Sequence, residues 1–424
     1  MSVADWKPAK LDELGFVGRG KSRHRPRNAA FLYGGRYPFF QTGDIKAANF
    51  YLTEYSQTYS EEGLAQSKLW KPGTLCITIA ANIAEGAILG IEGCFPDSVV
   101  GFVADPDKAD VRFIKYYMEI LKLQMQNVSH GATQDNLSVE KLLSFDFLVP
   151  PLPVQQRIAG ILSAYDELIE NSQRRIKILE SMARTLYREW FVHFRFPGHE
   201  HHPRVASSLG EIPQGWEVKT VADAFVISGG GTPSRKEDEF WAGGTIQWYS
   251  PSDLTGAGTM FMDDSSDRIT ERGLAQSSAR MFPARSVMLT SRATIGAIAI
   301  NTYPACTNQG FITCQPNERV PLYYLFHWLT ENVPTFQRMA SGATFKEISR
   351  GVFKTIEFLQ PPDKLVRRFE AMAAPMAEQI LALQRQIQNL RRTRDLLLPR
   401  LLSGQVAVDA LSGAISDSPA GPPQ

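Results

Sequence analysis

The pentapeptide GLAQS stands twice in this chain, at Gly63–Ser67 and at Gly273–Ser277. It does not repeat alone. Trp6 pairs with Trp216, Pro72 with Pro283, and Asp44-Ile45 in YPFFQTGDI with Asp253-Leu254 in IQWYSPSDL. HGATQDNLS (130–138) pairs with SGATFKEIS (341–349), and FDFLVPPLPVQQRI (145–158) with IEFLQPPDKLVRRF (356–369). The order is kept throughout, and the offset stays between 209 and 211. Chance matches do not hold register over so long a span. The chain is an internal duplication, and its repeat is too long for a solenoid. Each half must therefore be a domain with an appendage.

The two halves share one plan. TLCITIAANI and SVMLTSRATIGAIAI are short β-branched runs that favour strands. DVRFIKYYMEILKLQMQNV and VPLYYLFHWLTENVPTFQRM carry apolar residues at helical spacing. A proline pair, Pro150-Pro151 or Pro361-Pro362, then marks a break. Proline suits a helix start, because the N–H it lacks is unbonded there anyway. Long amphipathic segments follow. In the first, Ile158, Tyr165, Leu179 and Leu186 fall on a seven-residue repeat. Ile161, Leu168 and Met182 interleave, flanked by Leu162, Ile169, Ile176 and Trp190. In the second, Phe369, Met376, Leu383, Leu390 and Leu397 recur likewise, joined by Ile380, Ile387 and Leu401. This pattern predicts two coiled-coil helices, each roughly 45–60 Å long. A helix apolar on one stripe needs a partner, and the other helix, packed antiparallel, is the obvious one. Ser172, Arg175, Gln379 and Gln386 interrupt the seam and read as register specification. Pro375 should kink the second helix or mark its true start.

The expected class is α+β: two duplicated α/β domains joined by two long antiparallel coiled-coil helices, with pseudo-twofold symmetry. The layout is a domain over 1–150, a central helix over 151–196 and a Pro-, Gly- and His-rich linker over 197–214. A second domain over 215–360, a closing helix over 361–404 and a tail over 405–424 complete it. The tail is poor in bulky residues and is expected to be disordered.

Charge gives no global nucleic-acid signal, since 45 Lys and Arg face 44 Asp and Glu. A basic footprint must be local. Cys76, Cys94, Cys306 and Cys314 form no CxxC pair and read as free thiols of a reducing cytoplasm. The N-terminus lacks the apolar core of a signal peptide, and no apolar run of membrane-spanning length exists. A cytoplasmic location without membrane contact is therefore expected.

The sharpest local feature is RGKSRHRPR (19–27). Arg19, Lys21, Arg23, Arg25 and Arg27 alternate with Ser22, His24 and other short or polar residues, with no acid among them. Such a loop fits phosphates or a groove, and Arg can hydrogen-bond a guanine edge twice. The plain alternative is a solvated basic loop. The corresponding SGGGTPSRKEDEF (228–240) offers Thr232, Ser234, Arg235 and Lys236, and SVMLTSRATIG adds Arg292. GGGTPS lacks the Gly-Lys-Ser/Thr ending of a phosphate-binding P-loop and reads as a turn. In the two Gly-Ala-Thr segments, Thr133, Gln134, Thr344 and Lys346 are placed to bond a base or phosphate, or simply to lead into the next strand. Leu186, Tyr187, Trp190 and Phe191 make an aromatic exit from the first long helix, suited to a partner or to packing. His199, His201 and His202 lie in the linker and read as an exposed polar tract rather than a metal site. VPPL and QPPD lack the aromatic fourth residue of amino-methyltransferase motifs. No catalytic constellation, metal site or cofactor loop is found.

These stretches resemble the specificity subunit of type I restriction–modification systems over nearly the whole chain. YPFFQTGDI and IQWYSPSDL look like the family's start-of-domain strand. LVPPLPVQQRIAGILSAYDELIE is similar to its signature break, LYREWFVHFRFPG to the end of its central helix, and LLLPRLLSGQV to its closing motif. The second break, QPPDKLVRRF, lacks the third proline and the Gln-Gln pair, which weakens any claim that both breaks make equal contacts. The resemblance implies a non-catalytic subunit with two target-recognition domains. Each would bind one half of a bipartite double-stranded DNA site, and the helices would set the spacing. It further implies two modification subunits carrying S-adenosylmethionine, and restriction subunits using ATP and Mg, with no cofactor in this chain. The readings set against it are a coiled-coil scaffold without DNA readout and a self-contained DNA-modifying enzyme.

Overall fold

The computed structural model describes residues 6–22, 26, 29–130 (128–130 by backbone alone), 137–342 and 346–406. It divides into two compact units, Met1–Asn171 with Ile387–Gln424, and Ser172–Gln386. Both boundaries fall inside the long helices.

The duplication read from the sequence is a duplication of topology. In the first unit one sheet runs, in spatial order, Gly15–Arg19, Val99–Ala104, Leu75–Thr78, Gly86–Leu89 and Tyr51–Leu52. In the second the order is Val226–Gly229, Phe311–Gln315, Val287–Thr290, Ile298–Asn301 and Phe261–Met262. In each sheet the first four strands pair antiparallel and the last joins parallel. The central strands, LCIT and VMLT, are buried at every position. That explains their continuous rather than alternating apolar character. A two-stranded ladder, Lys7–Ala9 with Phe147–Val149 or Glu217–Thr220 with Glu357–Gln360, returns the end of each domain to its beginning.

One helix backs each sheet, Val111–His130 in the first unit and Leu322–Met339 in the second. Their side chains correspond at an offset of 211. Tyr117 packs on Phe147 with ring centroids 5.4 Å apart, and Trp328 packs on Phe358 at 5.0 Å.

The long helices span Leu152–Tyr187 and Asp363–Leu402, each starting immediately after its proline pair. The Pro151 carbonyl accepts from the Val154 and Gln155 N–H groups, and the Pro362 carbonyl from those of Leu365 and Val366. Pro375 lies inside its helix and does not mark its start. In the first unit Asp166 faces Arg394, while Ile158 and Leu162 share one core with Leu397, Leu401 and Leu402. The two helix segments therefore run antiparallel there. In the second unit Tyr187 and Trp190 lie against Phe369, at 5.8 and 6.4 Å between ring centroids.

The buried stripe of the central helix differs from the expected seam. It runs through Ile158, Leu162, Ile169, Ser172, Ala183, Tyr187 and Trp190. Leu168 and Met182 are each 50% exposed, and Arg175, Gln379 and Gln386 are exposed. Of the four polar interruptions only Ser172 is buried. Neighbouring helix positions differ by 100° about the axis, so Leu162, Ile169 and Trp190 of the flanking set are buried while Leu168 and Met182 of the interleaved set are exposed. The linker is a built element: Arg204–Ser207 and Gly210–Pro213 pair as a hairpin after a short turn of helix, His199–His201. The tail beyond residue 406 lies outside the described residues.

Candidate nucleic-acid interface

GLAQS explains itself first. It forms the short helices Glu61–Ala65 and Glu271–Ala275, capped by Ser60 and Thr270, whose side-chain oxygens accept from the Gly63 and Gly273 N–H groups. A Cβ at Gly63 would stand 2.2 Å from the Leu32 carbonyl oxygen, and one at Gly273 would stand 2.6 Å from that of Phe240. The repeated glycine is therefore a point of close backbone approach. The end of the first pentapeptide bears on the candidate site: the Ser67 hydroxyl donates to the Lys21 carbonyl at 2.6 Å.

That bond anchors the root of the basic loop. Arg19 ends its strand exposed, and its Nε donates to the Asp97 carbonyl at 2.5 Å. The Gly20 and Lys21 N–H groups donate to the Val99 and Phe95 carbonyls, and the Lys21 side chain is exposed. Ser22 follows, half-buried. Arg23, His24, Arg25 and Arg27 lie outside the described residues, as do Thr133, Gln134 and Thr344. Beside this root, Lys68 stands 3.6 Å above the Trp70 ring and 4.8 Å from the Phe16 ring centroid, a cation–aromatic group that sequence reasoning missed.

In the second unit the corresponding loop is held tightly. A Cβ at Gly230 would meet the Thr307 and Asn308 carbonyl oxygens at 2.1 Å, and one at Gly231 the Ser278 hydroxyl at 2.3 Å. The glycine run lets the loop lie flat on its neighbours and forms no phosphate cradle. The loop places its candidates differently. Arg235 lies 3.5 Å over the Trp241 ring and pairs with Asp267 at 2.5 Å, so its charge is committed within the unit. Ser234 and Lys236 are exposed, and the Lys236 N–H donates to the Ser234 hydroxyl.

Thr232, Arg292 and Lys346 are brought together. The Thr232 hydroxyl donates to Gln309 at 2.6 Å, the next residue Gly310 approaches Arg292, and the Ala293 N–H donates to the Lys346 carbonyl at 3.1 Å. Arg292 is about half exposed, 3.9 Å from the Glu347 carboxylate. Sequence reasoning missed Arg350, an exposed residue whose guanidinium lies over Gly229 at the root of the loop. It stands too far along the chain for spacing to connect the two.

Both units carry the same strained hairpin beside these loops. Ala81 and Ala293, at matching positions, have φ of 62°, a left-handed conformation costly for any residue with a Cβ. Thr78 and Thr290 hold the turn, their hydroxyls donating to the Asn82 and Thr294 carbonyls. Beside each hairpin a backbone bond repeats: Leu137 N–H donates to the Ile79 carbonyl in one unit and Ile348 N–H to the Ser291 carbonyl in the other.

The aromatic exit from the central helix is core. Tyr187, Trp190 and Phe191 are buried, Leu186 packs beside them, and Phe191 meets Tyr324 and Phe369 edge-on. This chain covers their surfaces itself, which replaces the docking expectation for those three with packing. Two of the linker histidines are bound to backbone: His199 Nδ1 lies 2.9 Å from the Phe196 carbonyl and His202 Nε2 2.8 Å from that of Gln214. Cys76, Cys94, Cys306 and Cys314 are buried free thiols, and burial pushes Cys306 up to about 12. Among the described residues no cluster of metal-ligating side chains occurs, and no helix is long and apolar enough to cross a membrane.

The family described as "Type I restriction modification DNA specificity domain" matches residues 4–181 and 213–365. The chain is 24% identical to the type I restriction enzyme MjaIX specificity subunit of Methanocaldococcus jannaschii, over 96% of this chain and 95% of that one. It is 23% identical to the HindI specificity subunit of Haemophilus influenzae, over 95% of this chain and all of that one. A crystal structure of the type I restriction–modification S subunit from M. genitalium shares the fold, with a TM-score of 0.63 at 16% identity over 93% of this chain and 96% of that one. With two matched segments that coincide with the two copies of one topology, the chain belongs to the type I restriction–modification DNA specificity family.

Proposed function

We propose that the chain is the DNA-specificity subunit of a type I restriction–modification complex, in which each mixed domain reads one half of a bipartite double-stranded site. One observation carries this reading: a single sheet and hairpin arrangement occurs twice in one chain of this family. Two equivalent heads suit a split target, because duplex backbones are themselves related by twofold symmetry. The described candidates divide by role. Arg19 and Lys21 in the first domain, and Arg292 and Lys346 in the second, supply exposed cations for phosphates or base edges. Thr232, Ser234 and Lys236 border the second set. Ser22 and the loop residues Arg23, His24, Arg25 and Arg27 extend the first, and Thr133, Gln134 and Thr344 belong to the Gly-Ala-Thr segments. Arg235 serves the fold, held between Trp241 and Asp267.

The long helices set the distance between half-sites and dock two modification subunits. Exposed apolar side chains on the central helix, Ile178 at 58% and Met182 at 50%, support that role better than the buried aromatic exit. S-adenosylmethionine, ATP and Mg act in the modification and restriction subunits, and this chain contributes no catalytic group. The complex works on DNA in the cytoplasm.

Methylome sequencing of the host tests the reading. A split adenine-methylated motif should vanish on deletion of the gene, and replacing residues 215–360 with the same span of a relative should change one half of the motif only. Persistence of the motif after deletion overturns the proposal.

A further inference from the structure

The two five-stranded sheets correspond strand by strand, which makes their edge residues comparable one by one. Thr78 and Thr290 hold the same turn, and they stand opposite Val99 and Phe311 in the next strand. That register sets Val100 against Ile312. The edge residue opposite Val100 is Arg19, and the one opposite Ile312 is Gly229. Neighbours agree with the match: Phe16 and Val226 are both exposed, and Val17 and Ile227 both pack inward. At the root of the basic loop, then, the first unit has a long cation where the second has no side chain.

The second unit supplies the cation from elsewhere. The guanidinium of Arg350 lies over Gly229, and a Cβ there would stand 2.8 Å from its central carbon. A side chain at 229 and Arg350 in this pose therefore exclude each other. The exchange is reciprocal. Ser349 caps the short helix Arg350–Lys354 through the Val352 N–H, and Ser138 caps Val139–Ser144 through the Lys141 N–H. Arg350 thus corresponds to Val139, which is half-buried and uncharged. In the first unit Arg19 acts on the residue after Val139. The Glu140 carboxyl is held below its ordinary value by its own N–H and the Ser138 hydroxyl, and then by the Arg19 charge. The capped helix and the edge strand therefore meet in both units, with one arginine at each meeting point. Arg350 is exposed and enters no ion pair among the described residues. Lys346 and Lys354 on either side of it are exposed as well.

We propose that Arg350 is the second unit's counterpart of Arg19, and that each guanidinium holds a backbone phosphate of its own half-site. This rests on the reading of the chain as a DNA-specificity subunit. Covering the end of a strand needs only an apolar stem. A guanidinium delivered to the same edge from two different chain positions answers a demand for charge. Phosphate contacts fix a protein's register on the duplex and carry no base information. Such a contact can be kept in both heads whatever bases each one reads.

The test measures binding of the assembled complex, across a range of salt, to a duplex carrying the split motif methylated in the host. R350M keeps an apolar stem over Gly229 and removes the charge. It should flatten the slope of log affinity against log salt by about 0.9, the loss of one phosphate contact, and leave base preference unchanged. G229R/R350V writes the first unit's arrangement into the second and should restore the wild-type slope. If that variant does not fold, R19G/V139R makes the converse exchange in the first unit and should likewise keep the wild-type slope. A flattened slope in the folded exchange variant overturns the equivalence of the two arginines. A wild-type slope in R350M beside a flattened one in R19M overturns the inference and leaves the specificity-subunit reading standing, as does relaxed base choice in R350M at an unchanged slope. Persistence of the motif after deletion of the gene overturns that reading itself.

Discussion

The Tyr116 hydroxyl donates to Asp166 at 2.5 Å, and the same carboxylate receives the Arg394 guanidinium. Asp166 is 6% exposed, so three elements of the first unit meet on one buried charge. Asp166→Ala would leave Arg394 with only the exposed Asp395, and the Tyr116 hydroxyl without its acceptor. Breaking such a pair costs about 3–5 kcal/mol, whereas removing both members with apolar replacements costs far less. Chemical denaturation should show D166A strongly destabilised and D166L/R394M recovering much of the loss. A double variant as weak as D166A would show that the pair itself carries the stability.

The second unit carries a prediction about pH. His327 has a folded pKa of about 4, lowered chiefly by burial, against an ordinary value of 6.5. A base whose pKa is depressed by folding stabilises the fold above its unfolded value. That contribution is lost as pH falls from about 6.5 toward 4, because the unfolded chain takes the proton first. The full difference amounts to about 3 kcal/mol. Urea midpoints should therefore fall between pH 7 and pH 4.5 in the wild type. H327F should flatten that part of the profile, and an unchanged slope in H327F would assign the effect to other groups.

The plan of the chain was legible because its signals are local or repeated. The proline pairs end at Pro151 and Pro362, and the helices begin at Leu152 and Asp363, since proline imposes its φ without help from tertiary structure. The repeated word GLAQS located two equivalent domains. Other features needed the fold. Leu168 and Ile169 are adjacent and equally apolar, yet one is half exposed and the other buried, and only the partner surface chooses between them. Arg235 counts as a free cation in the sequence until Trp241 and Asp267 are placed around it. Tyr187, Trp190 and Phe191 are as suited to docking as to packing until Phe369 is seen against them.

Gly63 and Gly273 should tolerate no side chain. Their Cβ atoms would lie 2.2 and 2.6 Å from backbone carbonyl oxygens, and backbone cannot rotate away as a flexible side chain can. Overpacking of this kind costs about 1–3 kcal/mol. Thermal unfolding of G63A and G273A should show each variant destabilised, with G63A the more affected. A neutral G63A would mean that the Leu32 turn is free to shift.

Salt dependence separates cations that touch DNA from those that hold the fold. Arg19 and Lys21 are exposed on the first loop, whereas Arg235 is spent on Trp241 and Asp267. Each phosphate contact adds about 0.9 to the slope of log affinity against log salt. In the assembled complex, R19A/K21A should flatten that slope by about two and weaken binding to all sequences alike. Arg292→Ala and Lys346→Ala should act through the second half-site, each flattening the slope by about one if it meets a phosphate, or relaxing base choice if it meets a base edge. R235A should lower the unfolding temperature and leave the slope unchanged. Equal slopes for wild type and R19A/K21A would remove the loop root from the DNA interface, and a flattened slope for R235A would return that residue to it.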